Sequence, residues 1–485
     1  MHVPVYYDSC CPNRPVTRQE LAKHNTETDC WISVHNRVYD CSKFVKSHPG
    51  GWHPMRSLVG KPDCTDAFEA FHPNRVHKLL LPSMYVGDLI DPLPTSEFLQ
   101  KMRSVRNVLY KENRFETDSS FYVIKLVWIF SLFFLALGLT LGSGGDFVWE
   151  LIGAMVMGLF WQQLAFIGHD VGHNAISHIR TKDLFYGIVF GDALMGISLG
   201  WWKHSHNTHH VVCNSVEHDP DIQHMPFMAV SEKITRGKFW STYHQKWFSL
   251  DWFASIFVPF QHWLFYPIMM LARGNLYLQS YKFLLLEKRV QYRFWEIGSM
   301  LFFAGWVTWV AMQTQTPWLW IVLSHAVSGI LHVQICLSHF PLDVYLMEEN
   351  VERDWYTLQL ETCLDVSTNM DWFHGGLHHQ AIHHLFPRLP RHQQRYARFL
   401  LREALQSMGK LDMYKEKSFL QGNLFLLQVL KESGRVANPT TSELVLEMVT
   451  LVQIYQEVVT VDYERYFEIA VGGVVCCLLS CRNMV

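Results

Sequence analysis

The sequence predicts a multi-domain protein: a small α+β module at the N-terminus, then an all-α integral membrane domain with about four transmembrane helices and a cytosolic cap rich in histidine. Three observations predict it. Residues from about 16 to 90 are polar and compact, with short apolar runs between turn signals. Four later stretches are apolar for long enough to cross a bilayer. Beside them stand three clusters, His169–Asp170–Val171–Gly172–His173, His206–Asn207–Thr208–His209–His210 and Gln380–Ala381–Ile382–His383–His384, whose seven imidazoles recur at i, i+3 and i+4.

Composition supports the same division. A chain of 485 residues exceeds what one core organises. With 14% aromatic residues, 18 Trp and only 18% charged residues, it reads as a membrane protein. A net charge of -3 argues against a nucleic-acid partner. Met1 to Arg14 lack a basic flank followed by an apolar core, so the N-terminus is expected to remain cytosolic. The eleven cysteines show no metal-ligand spacing and fit a reduced, cytosol-facing protein, with Cys476 and Cys477 only a weak acylation signal.

After a tail over residues 1–15, the first module occupies 16–90. Trp31–Val34 and Arg37–Tyr39 flank His35–Asn36 as a hairpin, and Ser42–Ser47 reads as a helix ending at His48–Pro49–Gly50–Gly51. A second notable histidine is His72. A haem held between two histidines needs one from each side of an apolar slot, and Phe44, Leu58, Phe68 and Phe71 are available to line it. Residues 91–120 form a linker, with prolines in Asp91–Thr95, and a packed helix through Phe98, Met102, Val105 and Leu109, interleaved with Lys101, Arg103 and Arg106.

The membrane domain is placed at 121–440. Its spans are Phe121–Leu141, Phe147–Ile167, Phe294–Met312 and Pro317–Leu337, arranged as two hairpins. Their connections Gly142–Asp146 and Gln313–Thr316 carry no Lys or Arg, whereas Lys111, Arg114, Arg180, Lys182, Lys203, Arg289 and Arg293 lie on the other side, which is therefore cytosolic. All three histidine clusters fall on that side. Trp252–Ala272 is broken by Pro259, Gln261, His262 and Pro267 and reads as re-entrant or interfacial, with a fifth span as the alternative; Leu184–Trp202, with four glycines, is expected against the membrane face. A C-terminal extension, 441–485, includes Val471–Cys481, which is too short to span.

Residues three and four apart share a helix face, so each cluster directs its imidazoles to a common centre. Seven exceed the four positions of one zinc, and neutral imidazole without a Glu-rich set suits a dinuclear site best filled by iron. A bis-histidine haem has no open position and moves single electrons. Fusing it to an oxygen-using iron site supplies the donor at high effective concentration. The substrate is then a lipid chain entering from the bilayer.

The His-Pro-Gly-Gly run, with Trp31, Val38–Tyr39–Asp40, His72 and the acidic Asp63, Asp66 and Glu69, resembles cytochrome b5. Over about 16–435 the chain resembles the front-end membrane desaturases fused to that domain. The runs that carry this are Gly168–His173, Trp201–Trp202–Lys203 ahead of the second cluster, Asp219–Pro220–Asp221–Ile222–Gln223, and Phe373–His374–Gly375–Gly376–Leu377 ahead of the third, with Gln380 in place of its first histidine. The resemblance implies haem b on His48 and His72. It implies two non-haem irons on His169, His173, His206, His209, His210, His383 and His384, with Gln380 coordinating or positioning a water and His339 as an eighth imidazole. Asp170 would orient a neighbouring ligand, and His204, His218, His224, His374, His378 and His379 would be surface or supporting residues.

It further implies O2 as oxidant, NADH through a cytochrome b5 reductase, and a multi-pass protein of the endoplasmic reticulum membrane. The expected substrate is a membrane lipid, ceramide or sphingoid base in a sphingolipid Δ8 desaturase. A Δ6, or related Δ5 or Δ8, fatty acyl lipid or CoA desaturase is the alternative. A lipid hydroxylase and a non-catalytic electron carrier are the readings from other classes; Gln380 and the tryptophan-led second cluster speak against the first, and the unbroken clusters against the second.

Overall fold

The computed structural model describes residues 14–79, 81–347 and 353–437. The N-terminal tail as far as residue 13 and the extension from 441, with its cysteine pair, lie outside the described residues.

The N-terminal module is a four-stranded sheet with helices on one side. β1 (Pro15–Val16), β2 (Trp31–Val34), β3 (Arg37–Asp40) and β4 (Tyr85–Leu89) take the order β1-β4-β3-β2. β2 and β3 form the expected hairpin, Trp31 opposite Asp40, and its turn places both His35 and Asn36 at positive φ. The expected helix at Ser42–Ser47 is only a 3-10 turn over Val45–Ser47. That segment runs straight into Pro49 and Gly51, the latter at φ +75, so no further turn can form. α1 (Thr65–Phe71) delivers His72 at its C-terminal cap.

α2 (Glu97–Lys111) buries Phe98, Met102, Val105 and Leu109 against later helices and is packed as its periodicity predicts. The membrane helices follow: α3 (Ser119–Leu141), α4 (Phe147–Gly172), then, beyond the cap helix α5 (Leu199–Val212), α6 (Gln261–Leu286), α7 (Arg293–Ala311), and α8 (Pro317–Ser328) continuing past Gly329 as α9 (Ile330–Leu337). Exposed apolar side chains on α3 and α7, such as Ile124, Phe134, Leu301 and Trp309, suit hydrocarbon rather than water.

Among the described residues five stretches are long and apolar enough to cross a membrane, against the four spans expected. The fifth is Ala254–Leu286, 33 residues long. Pro267 and Gln261 do not end it: Pro267 sits inside α6, while Gln261 is buried and satisfied by the Ala229 backbone and by Leu430 and Ser433. Leu184–Trp202 also differs from expectation. Trp161 and Trp306 donate to the carbonyls of Leu194 and Ala193, and Met195 and Ile197 enter the core between α4 and α7 instead of lying on a surface.

The cap is completed by α10 (Trp355–Thr362), α11 (Gln380–Leu385) and α12 (Gln394–Ser407), and by β5 (Leu364–Ser367) paired in parallel with β6 (Lys415–Ser418). α13 (Phe419–Ala437) packs along α6 and α9.

Candidate metal centre and haem site

The first cluster lies at the C-terminal end of α4. Close approach of the second cluster depends on Gly172: a Cβ there would stand 1.9 Å from the Trp202 ring. Trp202 in turn fills the space beside His169, His173 and His206, with ring centroids 5.5, 5.3 and 4.3 Å away. The third cluster lies on α11, whose first turn is held by Asp365 Oδ1 accepting from the Ala381 N–H at 2.8 Å. The turn before it needs Gly375 and Gly376, at φ +56 and +92; a Cβ on Gly375 would strike Phe166 at 2.1 Å.

Three chain segments thereby converge. His169, His173, His206 and His383 place one ligand atom each within 4.8 Å of one another, and His209, His339, His384 and Cys213 form a second such set. His210 stands between them. Its Nε2 is 3.0 Å from the Nε2 atoms of both His206 and His383, and its ring stacks on His384 at 4.0 Å.

The donor set fits metal cations. Nε2 of His169, His173 and His384 and Oε1 of Gln380 are buried without a hydrogen-bond partner. Desolvation and the neighbouring imidazoles push His173, His210, His383 and His384 well below the usual histidine range, and burial takes His206 down to about 3. Neutral imidazole is the ligating form. The opposite ring atoms are tethered, which aims Nε2 inward: Nδ1–H of His209 donates to Asp219 (2.9 Å), of His384 to Gln359 Oε1 (2.9 Å) and of His339 to the Thr362 carbonyl (2.9 Å). Gln380 Nε2 donates to His339 Nε2 at 2.8 Å.

Cys213 faces the tethered side of His339, 3.3 Å from Nδ1, and burial pushes its thiol well above its ordinary value. The sequence reading passed over it, as it did Gln359 and Thr362; the i, i+4 step from His209 to Cys213 was the visible signal.

Asp170 lies beside His169 and is held by further groups. It accepts from the Tyr122 hydroxyl at 2.9 Å and pairs with Arg391 at 2.8 Å, while His169 Nδ1 is 3.6 Å away. Of the residues expected at the surface or in support, His374, His378 and His379 are buried, and all six meet neighbouring groups. His374 meets Gln334, His378 meets Asp371, and His379 lies in the same turn. His204 contacts His53 and Tyr243 across the junction with the N-terminal module, His218 bonds Thr242 and His224 packs on Phe340.

In that module His48 and His72 face each other, ring centroids 5.9 Å apart. Nδ1–H of each donates to a backbone carbonyl, Gly51 for His48 and Phe68 for His72, so the two Nε2 atoms are turned toward the slot. Phe68 stacks on His72 and Phe44 abuts His48. Burial takes His72 down to about 3. The arrangement fits a haem held from both sides. Phe71 points elsewhere, edge-on to His210 at 6.2 Å, and so joins the residue beside one haem histidine to the metal cap.

The module is clamped in this position. Arg103 donates to Asp66 (2.7 and 2.9 Å) and Asp63 (3.0 Å); Arg106 pairs with Asp66 (3.4 Å) and Glu69; Arg289 donates to the Lys46 carbonyl (2.8 Å).

Residues 146–414 match the family described as fatty acid desaturase, and residues 17–90 match cytochrome b5-like heme/steroid binding domain. The chain is 35% identical over 432 residues to a Delta(8)-fatty-acid desaturase of Helianthus annuus, covering 88% of this chain and 93% of that one. It is 35% identical over 435 residues to an acyl-lipid (9-3)-desaturase of Borago officinalis, covering 88% and 95%. A Delta 8-(E)-sphingolipid desaturase of Kluyveromyces lactis is 39% identical over 304 residues, 60% of this chain and 52% of that one. With its haem-type histidine pair seated against a buried histidine cap on apolar helices, this chain belongs to the fatty acid desaturase family, as a front-end desaturase with a fused cytochrome b5 domain.

Proposed function

We propose that this desaturase introduces a double bond at Δ8 of a sphingoid long-chain base, using O2, at the cytosolic face of the endoplasmic reticulum membrane. The observation that carries the reading is the pair of imidazole sets gathered in the cap, with Phe71, the neighbour of His72, edge-on to His210 between them. His169, His173, His206 and His383 would hold one iron, and His209, His339, His384 and Gln380 the other, with His210 between. Iron bound there supplies O2 activation, so that an unactivated CH2–CH2 becomes CH=CH while O2, two electrons and two protons become two waters.

The protein's own groups orient and insulate that centre. Asp219, Gln359 and the Thr362 carbonyl fix the inward ring atoms of three histidines. Haem b on His48 and His72 would pass the electrons singly, supplied by NADH through a cytochrome b5 reductase. The haem module is taken as 16–90, the linker as 91–120 and the catalytic domain as 121–440.

The Kluyveromyces relative, named a Delta 8-(E)-sphingolipid desaturase, favours the sphingolipid substrate; the Helianthus and Borago relatives, named a Delta(8)-fatty-acid and an acyl-lipid (9-3)-desaturase, keep fatty acyl desaturation, at Δ6 or a related position, as the second reading. Expression in yeast, with mass spectrometry of sphingoid bases and fatty acids and double-bond location, tests it. A new Δ8 bond in long-chain bases is expected. A Δ6 bond in acyl chains would replace the substrate, and gain of one oxygen without loss of two hydrogens would overturn desaturation.

A further inference from the structure

A cavity of about 280 Å³ opens beside the metal cap, between α3, α4, the 371–379 turn and the start of α12. Its walls carry Lys125, Arg391 and Arg395 against one carboxylate, Asp371. Arg395 is bonded to Asp371 at 2.7 and 3.0 Å, and Arg391 pairs with Asp170 behind the wall. Lys125 has no carboxylate partner among the described residues; its ammonium lies 5.5 Å from the centre of the Phe121 ring. It stands in the second turn of a helix otherwise built for lipid, where an ionisable side chain signals a binding site. A second observation points into the same space: His378, 3% exposed, has a buried Nδ1 with no hydrogen-bond partner.

The position links the cavity to the chemistry. His379, in its wall, precedes Gln380; Asp170, behind Arg391, follows His169. At the lipid side Trp128 and Trp372 meet edge to face, 6.4 Å apart, as aromatic residues do at a membrane interface. An excess of cations at this depth favours a dianionic or monoanionic group bearing several acceptor oxygens, and guanidinium and ammonium donors suit phosphate.

We propose that this cavity binds the phosphate of a lipid substrate's head, the phosphorylated headgroup of a sphingolipid under the first reading above or the acyl carrier under the second, with Lys125 and the free edges of Arg391 and Arg395 as donors and His378 completing the site. The proposal rests on the lipid-desaturase reading and adds the chemical class of the head. A chain so anchored enters the metal cap from its headgroup end.

The test measures binding by the full, haem- and iron-loaded chain in detergent, using a fluorescent acyl chain on phosphatidic acid and the same chain on diacylglycerol. Phosphatidic acid should bind at least about tenfold tighter, and Lys125→Ala should remove about tenfold of that preference, as loss of one charge-assisted contact does. Lys125→Arg should retain it, and Arg395→Gln, on an exposed side chain, should weaken it to a smaller degree. Displacement of the probe by an acyl-CoA thioester more readily than by unlabelled phosphatidic acid would identify the carrier as the nucleotide thioester and keep the phosphate site. Equal binding of the two probes, an unchanged preference in Lys125→Ala, or displacement by inorganic phosphate alone at lipid concentrations would overturn the proposal. Because binding is read without turnover, its failure is distinct from a failure to find a new double bond.

Discussion

The two histidine sites of this chain are built in opposite ways. The haem slot takes both its histidines from one small module, 24 residues apart in sequence, each fixed by a backbone carbonyl within four residues of itself. The metal cap draws its ligand candidates from α4, α5, the segment after α9 and α11, and fixes several of them by side chains from still other segments. A local site tolerates change elsewhere in the chain. A convergent one depends on every helix being in register, which is why bulk at Gly172 or Gly375 would be felt at the metals.

The largest effects should separate the two sites completely. His383→Ala is expected to abolish turnover and deplete bound iron while the haem absorption spectrum stays intact; a variant that still desaturates would remove His383 from the centre. His48→Ala should do the converse, losing haem and turnover with non-haem iron retained. Full activity of that variant without added cytochrome b5 would refute electron delivery through the fused domain.

Next in size are residues that aim a ligand. Asp219→Asn keeps the shape but weakens the acceptor for His209 Nδ1–H, and a roughly 10- to 100-fold loss of iron affinity or activity is expected, read by metal titration. Arg106→Ala removes the cation that Asp66 and Glu69 share while leaving them Arg103 and His35, weakening the junction by about 1–3 kcal/mol. Reoxidation of the reduced haem in the presence of O2 and substrate should slow, with the haem spectrum unchanged. Phe71→Ala, which deletes the contact with His210 but none of the ion pairs, should slow the same step less.

The smallest effect is on pH. His72 and His206 are lowered to about 3 from an ordinary value of 6.5, so below 6.5 the unfolded chain binds protons that the folded metal- and haem-free chain does not. Stability of the apo chain should therefore be full above about 6.5 and fall as pH drops toward about 3. A denaturation midpoint that rises on acidification through that window would contradict this.

Much of the molecule was legible in the sequence because its signals are short-range. The β2–β3 hairpin, the packed face of α2 and the three histidine clusters all follow from periodicities of two or of three and four residues. The fifth apolar helix stood only as the alternative because Pro267 and Gln261 read as breaks, whereas Gln261 is satisfied by groups 32 and 169 or more residues away. Tertiary partners overrode a local rule. The roles of Gln359 and Thr362 were hidden for the same reason, since nothing near them in sequence marks what they face, whereas Cys213 was marked by its i, i+4 step from His209. Asp170 could be read only against its neighbour His169, whose Nδ1 it faces at 3.6 Å; its other partners, Tyr122 and Arg391, are 48 and 221 residues distant.

The central claim is that one haem site and two metal positions share this chain. It is tested most directly by counting total iron in the purified full chain against haem measured by its pyridine complex. About three irons per haem are expected, falling toward one in His383→Ala. A ratio of one in the unaltered chain, in a preparation that forms the double bond, would contradict the account.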